Sequence, residues 1–270
     1  MNKCVYFLAT IVLLYACKVN PYRQTNRIYK DSARALARRI SNYPLTSGVD
    51  SVPATPYWVG TTNFNLRKPN FVIIHHTAQN SCPETLKTFT LARTQVSAHY
   101  VICRDGVIHH MLNDYLRAWQ AGTSKWGSIT DVNSISIGIE LDNNGSEPFS
   151  AVQINSLLRL LTRLKTLYNI PSANFIGHSD IAPTRKVDPS YLFPWKQLAD
   201  SGFGLWYADT TGIGVPNGFS SLTALRLIGY DIKDSSAAVL AFKRHFEQDT
   251  TRSWGLPEQK ILFSLYQGYQ

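Results

Sequence analysis

Residues 71–78 read Phe-Val-Ile-Ile-His-His-Thr-Ala, and this stretch decides the fold. A β-branched apolar run from Phe71 to His75 reads as a buried strand. Downstream, Ser81 followed by Pro83 and Glu84 marks a helix start of capping-box type, and the helix is expected to run to about Thr94. Val96 to Cys103 and Val107 to Leu112 flank Arg104-Asp105-Gly106, whose Asp-Gly pair marks a hairpin. From Ser134 to Leu141 the chain alternates, with Ile135, Ile137, Ile139 and Leu141 on one face and Ser134, Ser136, Gly138 and Glu140 on the other. Ala151 to Tyr168 places Ile154, Leu157, Leu158, Leu161, Leu164 and Leu167 at helical spacing, and Phe175 to His178 returns to strand character. Strands interleaved with helices predict an α/β or α+β domain over residues 70–204.

A second unit, residues 205–270, follows. Leu222 to Ile228, Ser235 to His245 and Pro257 to Tyr266 form three short helical patterns, punctuated by Gly229 and Gly255. No catalytic cluster lies among them, and a small helical bundle is more often a binding or packing module.

The 270 residues are 44% hydrophobic and 17% charged, which excludes a disordered or fibrous chain. Four cysteines are too few for a disulfide scaffold. The net charge of +9 invites three partners: nucleic acid, an anionic membrane surface or an acidic polymer. Its distribution narrows the choice. Setting aside residues 1–16 removes Lys3 and leaves +8; Lys18 to Arg39 holds seven basic residues and Asp31, or +6, so residues 40–270 carry only +2. With no basic-aromatic motif there, nucleic acid is not an expected partner.

Residues 1–16 begin with a basic residue, Lys3, and continue as a short apolar run from Val5 to Ala16. Twelve residues cannot span a bilayer, and the pattern reads as a secretory signal, the alternative being a buried N-terminal element. The run ends Leu14-Tyr15-Ala16-Cys17, which resembles the lipobox of bacterial lipoproteins, with Tyr15 an unusual residue for it. That resemblance implies cleavage before Cys17 and lipid on its sulfur. Residues 17–69 then form a basic tether and an irregular approach rich in Ser, Thr, Pro, Gly and Asn. Each Lys or Arg beside an anionic surface contributes about 1 kcal/mol, although a merely solvated tether fits the same composition.

Seven histidines are unevenly placed. His75 and His76 end one strand, and His178 ends another, ten residues before Asp188. Two imidazoles and a carboxylate are a common catalytic zinc set with an open fourth position, while a lone strand-end histidine is more often a hydrogen-bonded structural residue. Because His75 and His76 must point to opposite faces, only one of them can join such a set.

Five blocks carry a resemblance that resolves this. Phe71–Ala78, Val96-Ser-Ala-His-Tyr-Val101 with Arg104-Asp-Gly106, Ala118-Trp-Gln-Ala-Gly122, Ser136-Ile-Gly-Ile-Glu-Leu141 and Gly177–Pro189 resemble, in order and spacing, the type-2 family of zinc-dependent N-acetylmuramoyl-L-alanine amidases, and most closely its lipoprotein members of the AmiD kind. The match spans roughly Asn70 to Trp195. The tail, with Leu-Ile-Gly-Tyr230 and Ala-Phe-Lys-Arg-His-Phe246, is similar to a small helical peptidoglycan-binding domain. The resemblance implies a mixed central sheet flanked by helices and a C-terminal three-helix domain. It implies Zn²⁺ held by His75, His178 and Asp188, rather than by the nearer Asp180.

The same resemblance makes Glu140 the base that takes the proton of water and passes it to the departing amine. Lys186 would stabilise the oxyanion. Trp119, Gln120 and Asn143 are expected at the substrate groove, and His99 is either a substrate contact or a packing residue. His109, His110 and His245 are expected at the surface or in packing.

Two departures stand out: Gln120 where the family usually has His, and Ser190 where it usually has Gly. The implied partners are peptidoglycan or muropeptides and, through the lipid on Cys17, a membrane. The implied location is the bacterial cell envelope, at an outer membrane facing the periplasm, and the chain is expected to act as a monomer. In an oxidising compartment Cys82 and Cys103 are free to pair, though spacing does not say whether they meet. A non-catalytic peptidoglycan-recognition module is the alternative function, disfavoured by retention of all five site residues. A cysteine hydrolase built on Cys103 and His99 is a poor alternative, because both read as lying in one buried strand.

Overall fold

Strand β1 (Phe71–His76) pairs in parallel with β4 (Ser136–Leu141) on one side and β5 (Phe175–Gly177) on the other. Beyond β4 lies β2 (Tyr100–Ile102), also parallel, and then β3 (Ile108–His110), which is antiparallel to β2. The computed structural model thus holds a five-stranded mixed sheet of order β3-β2-β4-β1-β5. It describes residues 20–41 and 60–268. The signal-like run, Cys17 and part of the irregular approach lie outside the described residues. The chain divides into two compact units, residues 1–64 and 65–270. In the first, helix α1 (Arg23–Ser41) has no buried residue.

The alternation along β1 and β4 sorts the second unit into layers. Val72 and Ile74 of β1 and Ile137, Ile139 and Leu141 of β4 pack on helix α3 (Ala151–Tyr168). Along α3 the buried stripe is Ile154, Leu157, Leu161, Leu164 and Tyr168, each of the aliphatic members contributing about 1.5–3 kcal/mol. Tyr168 takes the place expected of Leu167, which is exposed; the Tyr168 hydroxyl donates to buried Asp114, 2.8 Å away. Phe71 and Ile73 face the opposite way, into a core shared with α6 (Ser221–Ile228), α7 (Ser235–Phe246) and α8 (Leu256–Gln267). His75 and Glu140 therefore stand on the α6–α8 side of the sheet, above that core.

Local differences from the expected elements have physical causes. Helix α2 (Cys82–Thr90) ends early because Leu91 adopts extended backbone, and the Thr94 hydroxyl lies 2.8 and 2.7 Å from the carbonyls of Thr88 and Leu91. Ser81 makes no side-chain cap; instead Glu84 accepts from the Asn80 amide at 3.4 Å. The first hairpin strand is shorter than expected because Ser97 bonds Trp119 rather than β3, its amide donating to the Trp119 carbonyl at 3.1 Å. Cys82 and Cys103 form a disulfide that ties the start of α2 to the end of β2. His109 stands close to both sulfurs, but their pairing leaves no thiolate for a metal.

After β5 comes a single turn, α4 (His178–Ile181), and after it α5 (Trp195–Asp200). Asp180, buried in α4, accepts from the Gly177 amide at 2.7 Å, the Tyr230 hydroxyl at 2.9 Å and His245 Nδ1 at 2.8 Å. His245 in turn stacks on Trp195 with centroids 3.8 Å apart. Its packing role is as expected, and it joins α7 to the loop that carries the site. Among the described residues no helix is long and apolar enough to cross a membrane.

Candidate active site

The C-terminal ends of parallel strands β1, β4 and β5 bring the polar cluster together, the usual place for a ligand site in such a sheet. His75 closes β1 and sits in register with Glu140 of β4, while His178 opens the turn after β5. Asp188 returns from the following loop, where the Ser179 amide donates to its carbonyl at 2.7 Å. His75 Nδ1 lies 3.0 Å and His178 Nδ1 2.9 Å from the same oxygen, Asp188 Oδ2. All three residues are buried, and their donor atoms lie within 4.8 Å of one another.

The remaining ring nitrogens set the tautomers. His178 Nε2 faces the carbonyl of Ala121 at 3.1 Å, and a carbonyl only accepts, so that nitrogen carries the proton. His75 Nε2 faces Gln120 Oε1 at 2.5 Å. The Gln120 amide is itself oriented: Ser136 Oγ gives its proton to the Val132 carbonyl at 2.6 Å and accepts from Gln120 Nε2 at 2.8 Å. The oxygen of Gln120 is thus turned to His75, which must donate from Nε2. With the rings neutral, both Nδ1 atoms present lone pairs to the carboxylate oxygen; with a ring protonated, the same nitrogen donates to it. A proton or a metal ion can bridge donors packed this closely, and two imidazoles with one carboxylate suit a four-coordinate metal with an open position.

Electrostatics follow from the crowding. Burial lowers the His178 pKa to about 4, aided by the neighbouring His75. For His75 burial acts downward as well, but Glu140 and Asp188 outweigh it and the net shift is upward. Asp188 lies well below the ordinary carboxylate range: burial opposes this, and the bonds from His178 and His75 prevail. Glu140 is pushed up to about 7, chiefly by burial, with His75 pulling the other way. Its Oε1 lies 3.9 Å from His75 Nδ1, and its buried Oε2 has no partner among the described residues. Such a buried carboxylate oxygen beside these donors marks Glu140 as a candidate base.

A cleft of about 400 Å³ opens above this cluster, floored by His75, Glu140, His178 and Asp188 and walled by Phe89, Val96, Trp119 and Lys186. Trp119 is 55% exposed and is held from its backbone, whose amide donates to Ser97 Oγ at 2.9 Å.

The family described as N-acetylmuramoyl-L-alanine amidase matches residues 65–191. N-acetylmuramoyl-L-alanine amidase AmiD of Escherichia coli (strain K12) is 34% identical over 206 residues, covering 65% of this chain and 74% of that protein. The chain belongs to the N-acetylmuramoyl-L-alanine amidase family. The 1,6-anhydro-N-acetylmuramyl-L-alanine amidase AmpD of Haemophilus influenzae is 38% identical over 108 residues, or 40% of this chain and 59% of that one. Among solved structures, the E. coli AmiD complex with anhydro-N-acetylmuramic acid-L-Ala-D-gamma-Glu-L-Lys superposes with a TM-score of 0.69 at 30% identity, over 81% of this chain and 97% of that one. AMPDH3 from Pseudomonas aeruginosa, in complex with anhydromuramic pentapeptide, gives 0.68 at 28% identity, over 84% and 99%.

Within this amidase the sequence-predicted residues divide. His75, His178, Asp188, Glu140, Lys186, Trp119 and Gln120 all border the cleft. Asn143 does not, which corrects its expected place at the substrate groove, and neither does His99, for which the structure favours the packing reading over substrate contact. His99 is fully buried, with Nε2 donating to the Leu116 carbonyl at 2.9 Å and Nδ1 accepting from the Gly138 amide at 3.1 Å. Asn143 is buried too; it donates to the Glu147 carbonyl and accepts from the Gly145 amide, so it folds its own loop. Gln120 touches His75 as well as bordering the cleft, a role that a reading as groove wall missed. Ser190 does not adopt the positive φ that favours glycine, and its amide donates to His76 Nδ1 at 3.0 Å. Asn133 also went unnoticed in the sequence: its Oδ1 accepts from the amides of Gln120 and Ala121 and fixes that segment.

Proposed function

We propose that this amidase holds zinc on His75 Nδ1, His178 Nδ1 and Asp188, and hydrolyses the amide between N-acetylmuramic acid and L-alanine in peptidoglycan-derived muropeptides. The observation that carries the metal assignment is the convergence of two buried imidazole nitrogens on one carboxylate oxygen. A bound zinc ion supplies Lewis acidity, making a water molecule easier to deprotonate and an amide carbonyl easier to attack. Glu140 takes the proton of the attacking water and delivers it to the amide nitrogen as the carbon–nitrogen bond breaks. Lys186 at the rim neutralises the developing oxyanion, and the indole of Trp119 offers the substrate an apolar wall. The ligands in the relatives' complexes support a muramic acid–peptide ligand.

The test incubates residues 18–270 with purified peptidoglycan and with muropeptides, with and without a chelator, and reads the products by mass spectrometry. Peptides beginning at L-alanine should appear only in the metal-loaded sample. Glycan fragments with intact stems, or binding without any product, would sink the amidase reading. Zinc content by metal analysis identifies the ion.

We further propose that the chain is a lipid-anchored monomer of the bacterial cell envelope, at an outer membrane facing the periplasm, with residues 205–270 serving as a peptidoglycan-binding module. The lipobox-like Leu14–Cys17 and the basic segment after it support the anchor. An unmodified Cys17 in the mature protein, seen by mass spectrometry, would contradict it. Sedimentation of residues 18–270 as a dimer would contradict the monomer, and unchanged binding to wall sacculi after surface substitutions on α6–α8 would contradict the module.

A further inference from the structure

Helix α1 carries an organisation that a tether does not need. At about 100° per residue, Arg23, Arg27, Lys30, Arg34 and Arg38 fall within an arc of about 80°. Ile28, Tyr29, Ala33, Leu36 and Ile40 spread over a second arc centred about 150° from the first. Six cations less Asp31 give the helix +5. The apolar arc is not covered: Ile28 is 59%, Leu36 42% and Ile40 75% exposed. Arg39 falls inside that arc, between Ile28 and Leu36, where its long stem can carry the guanidinium out to a polar boundary. With seven charged residues in nineteen, the helix cannot span a bilayer.

We propose that α1 lies in the plane of an anionic lipid surface, with its apolar arc among the acyl chains and its basic arc against the headgroups. A helix too charged to be buried, with five of its six cations segregated from its aliphatic residues, has the pattern of interfacial helices. Charge complementarity alone would admit any polyanion, including nucleic acid or wall polymer. Neither offers an apolar layer for Ile28, Leu36 and Ile40, and a lipid surface offers both. The contact depends neither on the amidase reading nor on lipid at Cys17. It adds a second attachment to a single acyl anchor, and paired signals give far more durable attachment than one chain.

The experiment uses residues 18–270, which retain every described residue and lack both Cys17 and the apolar run. Co-sedimentation is measured with vesicles of phosphatidylcholine alone and with vesicles containing phosphatidylglycerol at about a 7:3 ratio, the anionic component supplying the surface potential. Binding to the mixed vesicles should be at least about tenfold tighter. The variant Arg27→Glu/Arg34→Glu/Arg38→Glu should lose roughly fivefold or more per cation. Ile28→Ser/Leu36→Ser/Ile40→Ser, with every charge kept, should lose at least about tenfold. Unchanged far-ultraviolet circular dichroism of residues 18–270 confirms that each variant keeps its helices. Equal binding to both vesicles, or unchanged binding of the serine variant, overturns the proposal. So does binding to soluble polyphosphate as tight as to the mixed vesicles, which would make the contact one of charge alone.

Discussion

Gln120 Oε1 stands 2.5 Å from Nε2 of His75 and so determines that the opposite nitrogen of the ring faces Asp188. An amide oxygen accepts and never donates, so the tautomer is held at every pH at which the ring is neutral. Gln120→Ala leaves a buried N–H without an acceptor and frees the ring to take the wrong tautomer. The expected result is a loss of roughly 10- to 100-fold in zinc affinity, read by competition with a chromophoric chelator. Ser136→Ala acts one step further out, by releasing the Gln120 amide to flip, and should weaken zinc by a smaller factor. Undiminished affinity in Gln120→Ala would refute the orienting role.

Glu140→Gln separates chemistry from metal binding. The side chain keeps its shape beside His75 but can no longer take a proton, so turnover should fall by roughly 10²-fold or more. Zinc content should stay at the wild-type level, because Glu140 is outside the group of three donors. A variant that loses zinc together with activity would reassign Glu140 as a ligand.

Asp180 was legible as a histidine-adjacent carboxylate and nothing more. Its three donors come from Gly177, Tyr230 and His245, the last two 50 and 65 positions away along the chain, and no local pattern reports such partners. The choice of Asp188 over Asp180 came from the resemblance, and the geometry supplies the reason: Asp180 is already occupied. The β-branched run of β1 and the alternation of β4 were readable because burial imposes them residue by residue. The register that sets His75 beside Glu140 was not, since the strands pair across some sixty residues of intervening chain. The two readings of His99 stayed open in the sequence for the same reason, its partners being backbone groups of other segments, and a backbone carbonyl leaves no trace in side-chain identity.

Ending the chain at Gly204 should therefore fail to give a folded amidase. Truncation strips Asp180 of the Tyr230 and His245 donors and uncovers Phe71, Ile73 and Ile181. The milder Tyr230→Phe, which removes one hydrogen bond to a buried carboxylate, should cost about 1.5–3 kcal/mol in a urea melt. A truncated protein with a cooperative melt close to that of the full chain would show that the helices are dispensable to the fold.

The Cys82–Cys103 bond closes a loop with a sequence separation of 21 residues. Constraining a loop of that length in the unfolded chain is worth about 3 kcal/mol. Reduction, or Cys82→Ser/Cys103→Ser, should lower the midpoint of thermal unfolding by several degrees while leaving zinc affinity in place, since neither sulfur borders the cleft. Equal melting of oxidised and reduced protein would show that the bond contributes nothing.

Glu247 gives the pH dependence of stability a definite sign. Burial raises its carboxyl to about 7, with Glu258 adding to the rise and Lys243 opposing it, and its buried Oε1 has no partner among the described residues. Between the ordinary glutamate value of 4.5 and about 7 the folded chain binds this proton and the unfolded chain releases it. Its contribution is thus fully present at low pH and is lost as pH rises through that interval. The gap corresponds to roughly 3 kcal/mol at most, and solvent access reduces it to about 1 kcal/mol. Glu247→Gln removes the charge without removing the shape. The variant should be more stable than wild type by about 1 kcal/mol near pH 8 and indistinguishable near pH 4. Denaturant melts across that range would measure the difference, and a constant offset at both ends would assign it to packing instead of ionisation.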